Sequence, residues 1–239
     1  MKTKLSLLGS LAFASLAGFA QPVVAANINM ANFNLQADFR AFSEELGAAL
    51  SYKAVTPAEP LGVTGFDIGL EATSTKMEKL AKATSSTQTT LIVPKLHIHK
   101  GLPLNIDVGA FYSSVPTTNI KLYGGELRYA ILEGGVASPA VAIRGSMTKL
   151  SGVDQLSFDT KGLDISISKG FAMFTPYAGV GRVWVVSTPN GVPSLTEETF
   201  QQSKFFVGGN LNLGFTNLAL EYDKTGSAIS YSAKLGFRF

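Results

Sequence analysis

Side chains over the last eleven residues alternate in kind. Ile229, Tyr231, Ala233, Leu235, Phe237 and Phe239 are apolar, while Ser230, Ser232, Lys234, Gly236 and Arg238 between them are polar or small. A period of two puts the two sets on opposite faces of a β-strand, and the pattern recurs back to Gly62. Backbone groups in lipid are satisfied only within helices or closed barrels. Repeated strands with one apolar and one polar face therefore predict, in a membrane protein, a barrel with hydrocarbon outside and polar side chains within; a soluble periplasmic β-sandwich is the architectural alternative.

The first residues fit that destination. Lys2 and Lys4 precede an apolar or small run over 5–20, Gln21-Pro22 breaks it, and Val23-Val24-Ala25 offers small residues for cleavage. These are the parts of a secretory signal peptide, expected over 1–25 with cleavage after Ala25 (Ala26 is the near alternative), and combined with the strand pattern they imply the cell outer membrane of a Gram-negative bacterium. The sequence contains no cysteine, so an exported fold here rests on backbone pairing and packing instead of disulfides. A net charge of +3 without a basic block gives no footprint for nucleic acid.

Residues 26–61 form an N-terminal segment, helical over 35–50, where Leu35, Phe39, Phe42, Leu46 and Leu50 recur every three or four positions. Pro57 and Pro60 close it. Two placements stay open, a periplasmic segment under the barrel mouth or a plug in the lumen, and a narrow barrel has little room for a helix. From 62 to 239 the alternation predicts strands at 62–74, 88–99, 104–114, 119–131, 139–149, 156–168, 174–187, 203–215, 218–223 and 228–239. The fold class is all-β, an antiparallel transmembrane β-barrel of about ten strands with a short N-terminal helix; eight or twelve strands remain open because the region 26–61 and the short ninth strand are ambiguous. Connections alternate between short and longer ones, as periplasmic turns and extracellular loops do. Parity breaks at Gly124-Gly125 and Lys161-Gly162 predict bulges or corners. Tyr112, Tyr129, Tyr177, Tyr222, Phe237 and Phe239 fall near strand ends, where an aromatic girdle sits.

Three stretches carry a resemblance. Thr175-Pro176-Tyr177-Ala178-Gly179-Val180-Gly181 resembles the Pro-Tyr-x-Gly-x-Gly strand of small outer-membrane barrels of the OmpA-like and OmpW-like kind. Leu211-Asn212-Leu213-Gly214-Phe215 with Leu220-Glu221-Tyr222, then 231–239, is similar to the closing hairpin of that superfamily. The terminal Phe239 resembles the signal read by the barrel assembly machinery. A proteobacterial barrel family of unknown function fits these motifs equally well. The resemblance implies a barrel and no particular ligand, and it implies no wall-tethering role, since no periplasmic peptidoglycan-binding domain is visible.

Alternation assigns a mixed-sign set to the lumen: Lys95, His97, His99, Asp107, Arg128, Arg144, Arg182 and Glu221, along with Lys121, Glu126, Asp164, Lys204, Asp223, Lys234 and Arg238. Interleaved signs predict a salt-bridged interior, whereas an ion-selective ring carries one sign. If 101–103 forms a three-residue turn, His99 opposes Asn105 and His97 opposes Asp107. A His–Asp couple invites general-base chemistry, but no serine is placed against it, and a metal would need a further strong ligand. No catalytic, metal or cofactor residue is assigned, and no enzyme is expected. The expected function is an integral outer-membrane barrel protein, structural or a narrow porin-like channel for small solutes. The alternative is surface-loop binding or adhesion through 188–202; a barrel enzyme using His97 and Asp107 comes last. Expected partners are outer-membrane lipid and lipopolysaccharide, and the barrel assembly machinery through the C-terminal strand.

Overall fold

A computed structural model describes residues 29–84, 87–114 and 120–239; the expected signal peptide lies outside the described residues. Among them, alternating segments become β1 (Phe66–Lys76), β2 (Thr90–Leu102), β3 (Ile106–Ser114), β4 (Lys121–Glu133), β5 (Ala140–Ser151), β6 (Leu156–Ser168), β7 (Phe174–Pro189), β8 (Glu198–Leu213), β9 (Thr216–Thr225) and β10 (Ala228–Arg238). Each pairs antiparallel with its sequence neighbours, and β1 pairs with β10, so the barrel is closed. Closure leaves no strand edge with unpaired backbone groups.

Register fixes the shape. Paired residues followed from Ile68 through β2 to β7 run Ile98, Ala110, Gly125, Met147, Lys161 and Trp184. Followed the other way, they run Phe237, Thr216 and Leu213, which lies beyond the pairing of Leu211 with Phe174. The two routes meet β7 near opposite ends, so the hydrogen-bonded rows spiral and the strands tilt, at roughly 40° for a barrel of this kind.

Strand ends sort into two groups. Short turns at 103–105, 134–139, 169–173 and 214–215 lie at the end where β1 starts and β10 finishes. The opposite, long-loop end carries 77–89 and 190–197, and it also bears the tight 226–227 turn. The loop 77–89 contains a short helix, α2 (Leu80–Thr84), to which α1 (Gln36–Leu50) and a 3-10 turn (Met30–Asn32) are joined by packing and polar contacts.

Outward positions are apolar: Leu70, Leu96, Ile98, Leu127, Ile165, Val180, Val207, Leu220 and Phe237 are all exposed. Inward positions such as Glu71, Lys95, Arg128, Arg144, Lys204 and Asp223 are buried. This is the distribution of a membrane-spanning barrel. Among the described residues no helix is long and apolar enough to cross a membrane.

Several details differ from the expectation. The ninth strand is ten residues long, and β8 begins at Glu198, which shortens the loop after β7. Pairing runs unbroken through Gly124-Gly125 and Lys161-Gly162; the irregularity in β4 falls between Ala130 and Leu132. Lys121, the first residue of β4, and Lys161, within β6, misled the parity because both point outward. Tyr177 is no girdle residue: it faces inward, and its hydroxyl donates to Glu221 Oε2 at 3.1 Å.

Candidate functional site

The interior is filled, and its filling comes partly from the N-terminal segment. Asn29 donates its backbone N–H to the Ala83 carbonyl in the long-loop region, and the Met30 N–H is bound by Gln155 Oε1 at 2.8 Å between β5 and β6. At the same end Gln36 donates to the Thr196 carbonyl, and Arg40 pairs with Glu198 at 2.8 Å. Helix α1 then descends, and the Ser43 and Ser187 hydroxyls meet at 2.8 Å on β7. Its lower end reaches Tyr52, whose hydroxyl stands 3.2 Å from His99 Nε2, and Lys53, which pairs with Asp223 at 2.5 Å. The Pro57 carbonyl accepts from Arg128, and the Ala58 N–H donates to Ser168 Oγ at 3.1 Å. Leu61 finally donates to Asp107 Oδ1 at the short-turn end. The segment thus threads the lumen from the long loops to the short turns. Of the two placements left open by the sequence, it takes the lumenal one.

Room for the helix has a local cause. A Cβ at Gly47 would stand 2.9 Å from Val185 Cγ2, closer than side chains tolerate, so glycine lets α1 lie against β7. Ala48 and Ala49 keep the following turn equally slim. Arg40 and Glu44 pair at 2.7 Å across one helical turn, which supports the exposed face of α1.

The lumen has two zones. Its long-loop half is apolar: Phe39, Phe42 and Leu46 of α1 pack in one cluster with Leu122, Leu150, Phe158, Val183, Val185 and Phe200 of the wall. The sequence carried a signal for this, since Val183-Trp184-Val185-Val186 is apolar on both parities. Deeper in, buried ions interlock. Glu71 Oε1 accepts from Lys95 at 2.7 Å and from the Thr73 hydroxyl at 2.6 Å, and His97 Nε2 stands 3.0 Å from Oε2. Glu126 lies 3.1 Å from Arg144 and 3.5 Å from His99. Lys204 donates to the Tyr52 carbonyl at 2.8 Å and faces Asp164 and Asp223 at 3.5 and 3.9 Å. Buried charges persist where they are paired and hydrogen-bonded, and the N-terminal segment supplies part of that pairing.

The residues singled out by alternation divide as follows. Lys95, His97, His99, Asp107, Arg128, Arg144 and Glu221 are buried inside. Arg182 is not among them: it points outward, because Tyr177, Val183 and Val185 occupy the inward parity of β7. The expected His97–Asp107 couple does not form. The turn is 103–105, with Leu104 and Asn105 in the left-handed region at φ 63° and 60°, and this moves the register. Asp107 therefore lies opposite Gly101 and binds Arg128 at 2.6 Å, while His97 lies opposite Phe111. His97 is stacked between Tyr52 and Phe111, with ring centroids 5.7 and 5.4 Å away. A Cβ at Gly109 would overlap the His99 ring, so that glycine makes space for the imidazole. Among the described residues no His, Asp and Glu cluster has the arrangement of a metal site.

No protein family and no curated protein matches the chain. Several solved structures bear a loose likeness, among them the following three. One is the loop L8 deletion mutant of OmpT, an outer membrane protein of Vibrio cholerae, at 12% identity and TM-score 0.32, covering 62% of this chain and 54% of that one. The second is Neisserial surface protein A, at 12% identity and TM-score 0.30, covering 72% and 95%. The third is Ail, the attachment invasion locus protein of Yersinia pestis, at 10% identity and TM-score 0.26, covering 73% and 97%. The barrel assignment stands on strand register and on which side chains face out.

Proposed function

We propose that the protein is an integral outer-membrane barrel, exported by its N-terminal signal, whose own N-terminal segment keeps the lumen shut. At rest it is a structural component; small solutes pass only when that segment is displaced. The long-loop end faces outward and the short-turn end faces the periplasm, following the usual lengths of such connections. The observation that carries this reading is the threaded segment, anchored at Ser187, His99, Asp223 and Arg128 along the barrel axis. Interleaved charge along the wall argues against a selectivity ring, and burial of His97 and His99 argues against hydrolysis.

The test is single-channel recording with the Ser43→Cys/Ser187→Cys variant. Their hydroxyls are 2.8 Å apart, within the reach of a disulfide after small adjustment. The oxidised variant is expected to stay silent, while the reduced one opens in brief events. Steady conduction through the oxidised barrel would overturn the plug.

A second reading is favoured by the tied loops at the long-loop end. Gln36 holds Thr196, Arg40 holds Glu198, and Asp38 holds both Lys79 and Lys82, so the loops make a fixed surface suited to binding a partner. Replacing 190–194 with a Gly-Ser linker is expected to abolish adhesion to host cells while the barrel stays folded; unaltered adhesion rules this out.

A further inference from the structure

Cations on the outer wall divide into satisfied and unsatisfied ones. Lys100 binds the Val63 carbonyl near the short turns, and Lys149 pairs with Asp159 at 3.5 Å. Lys121, Lys161, Arg182 and Lys224 are exposed, and among the described residues none of the four has an acidic partner within ion-pair distance; of these, Arg182 on β7 and Lys224 on β9 line one groove. Charge on a lipid-facing wall is tolerated near an interface and penalised at the bilayer centre. Lys224 stands one residue before the long-loop end of β9. Arg182 is in register with Ser203, whose carbonyl accepts from Gly226 in the β9–β10 turn. Both cations therefore belong to the rim where hydrocarbon gives way to headgroups.

Between them lies a shallow groove of about 750 Å³, walled by Leu163, Ile165, Val180 and Phe205. Phe205 is opposite both Val180 and Lys224, and Arg182 lies two residues beyond Val180, so Arg182 and Lys224 flank β8 from either side, about 12 Å apart at the backbone. Long side chains at that spacing converge on one anion. Asp164 also borders the groove, but inside it already faces Arg144 and Lys204. The combination is amphiphilic: a track for a hydrocarbon tail ending under two unpaired cations.

We propose that this groove binds an anionic acyl lipid of the surrounding leaflet whose head group is a phosphate monoester, with the phosphate between Arg182 and Lys224 and an acyl chain along Leu163, Ile165, Val180 and Phe205. A guanidinium and an ammonium supply charge-assisted hydrogen bonds to phosphate oxygens, and a tail laid on the groove removes apolar area from contact with less complementary neighbours. The proposal rests on the outer-membrane reading only for which leaflet supplies the lipid.

Native mass spectrometry of the full barrel in detergent tests it, with dimyristoyl phosphatidate, dimyristoyl phosphatidylcholine and inorganic phosphate as probes. One phosphatidate is expected to be retained in preference to phosphatidylcholine by at least about tenfold, the value of one or two charge-assisted bonds. R182Q/K224Q is expected to lose the preference, and R182K/K224R to keep most of it, with heat-modifiable migration on gels verifying that each variant is folded. Equal retention of both lipids, or a preference surviving in R182Q/K224Q, overturns the site. So does full competition by inorganic phosphate, which would mean that the acyl groove contributes nothing, or a dimer that R182Q/K224Q dissociates, which would give the face to a second copy. Localisation is read separately by membrane fractionation, so failure of the outer-membrane reading is distinguishable from failure of the lipid site.

Discussion

Lys53 illustrates what a single buried charge does here. It arrives in the lumen on the N-terminal segment and meets Asp223 of β9 at 2.5 Å, with Lys204 at 3.9 Å as the carboxylate's other cation. Deleting one partner of a buried pair strands the other, at a cost of ~3–5 kcal/mol. Lys53→Met is therefore expected to lower the urea midpoint of the folded barrel, and Lys53→Met/Asp223→Asn to recover much of the loss; an unmoved midpoint in the single variant would refute this account of the pair. Asp38 behaves differently. It lies outside the spanning strands, and Lys82 at 2.6 Å, then Lys79 at 3.1 Å, hold its carboxyl below the ordinary carboxylate range. A lowered folded value means that the contact stabilises above the unfolded value and is lost as pH falls through the folded one. Protection of the amides in the first turn of α1, relative to their intrinsic exchange rate, is expected to fall below about pH 4, and unchanged protection would count against the contact. At this scale the sequence was legible wherever parity was unambiguous. Lys95, Arg128, Arg144 and Glu221 fall inside as alternation requires. Arg182 fell on the wrong side because a charge in an apolar strand reads as lumenal unless its height along the barrel is known. The His97–Asp107 couple failed for another reason: two consecutive left-handed residues, Leu104 and Asn105, set the register, and neither is a glycine that would have announced them.

Among elements, the strands were far more legible than the helix. Alternation is a direct imprint of a two-faced wall, so the places of the strands along the chain and a count of about ten follow from it; the ends drifted, as with β8, whose start at Glu198 projects beyond the apolar belt. The amphipathic pattern of α1 identifies a helix with one apolar face and leaves open what that face meets. Its slim lower turn, Gly47-Ala48-Ala49, was the overlooked sign of close quarters. Gly47→Leu is expected to push α1 off Val185 and Gln202, destabilising the plug by ~1–3 kcal/mol as overpacking does. Increased protease nicking within 30–61 checks this, with the strands left intact.

For the whole molecule, the seam between first and last strands closes the wall. Phe66 and Phe239 exchange both backbone hydrogen bonds, and their rings lie 5.8 Å apart. Removing Phe239 is expected to leave β1 short of a partner at the short-turn end and to slow assembly, measured as a smaller heat-modifiable fraction during expression; an unchanged fraction would remove Phe239 from the seam's role. The threading of the N-terminal segment has a further consequence for topology. Asn29 sits among the long loops although β1 starts at the opposite mouth. A peptide tag spliced immediately ahead of Asn29 would thus emerge at the opposite mouth from the C-terminus; in the outer-membrane orientation proposed above it is displayed to antibodies on intact cells, while a tag after Phe239 stays hidden from them.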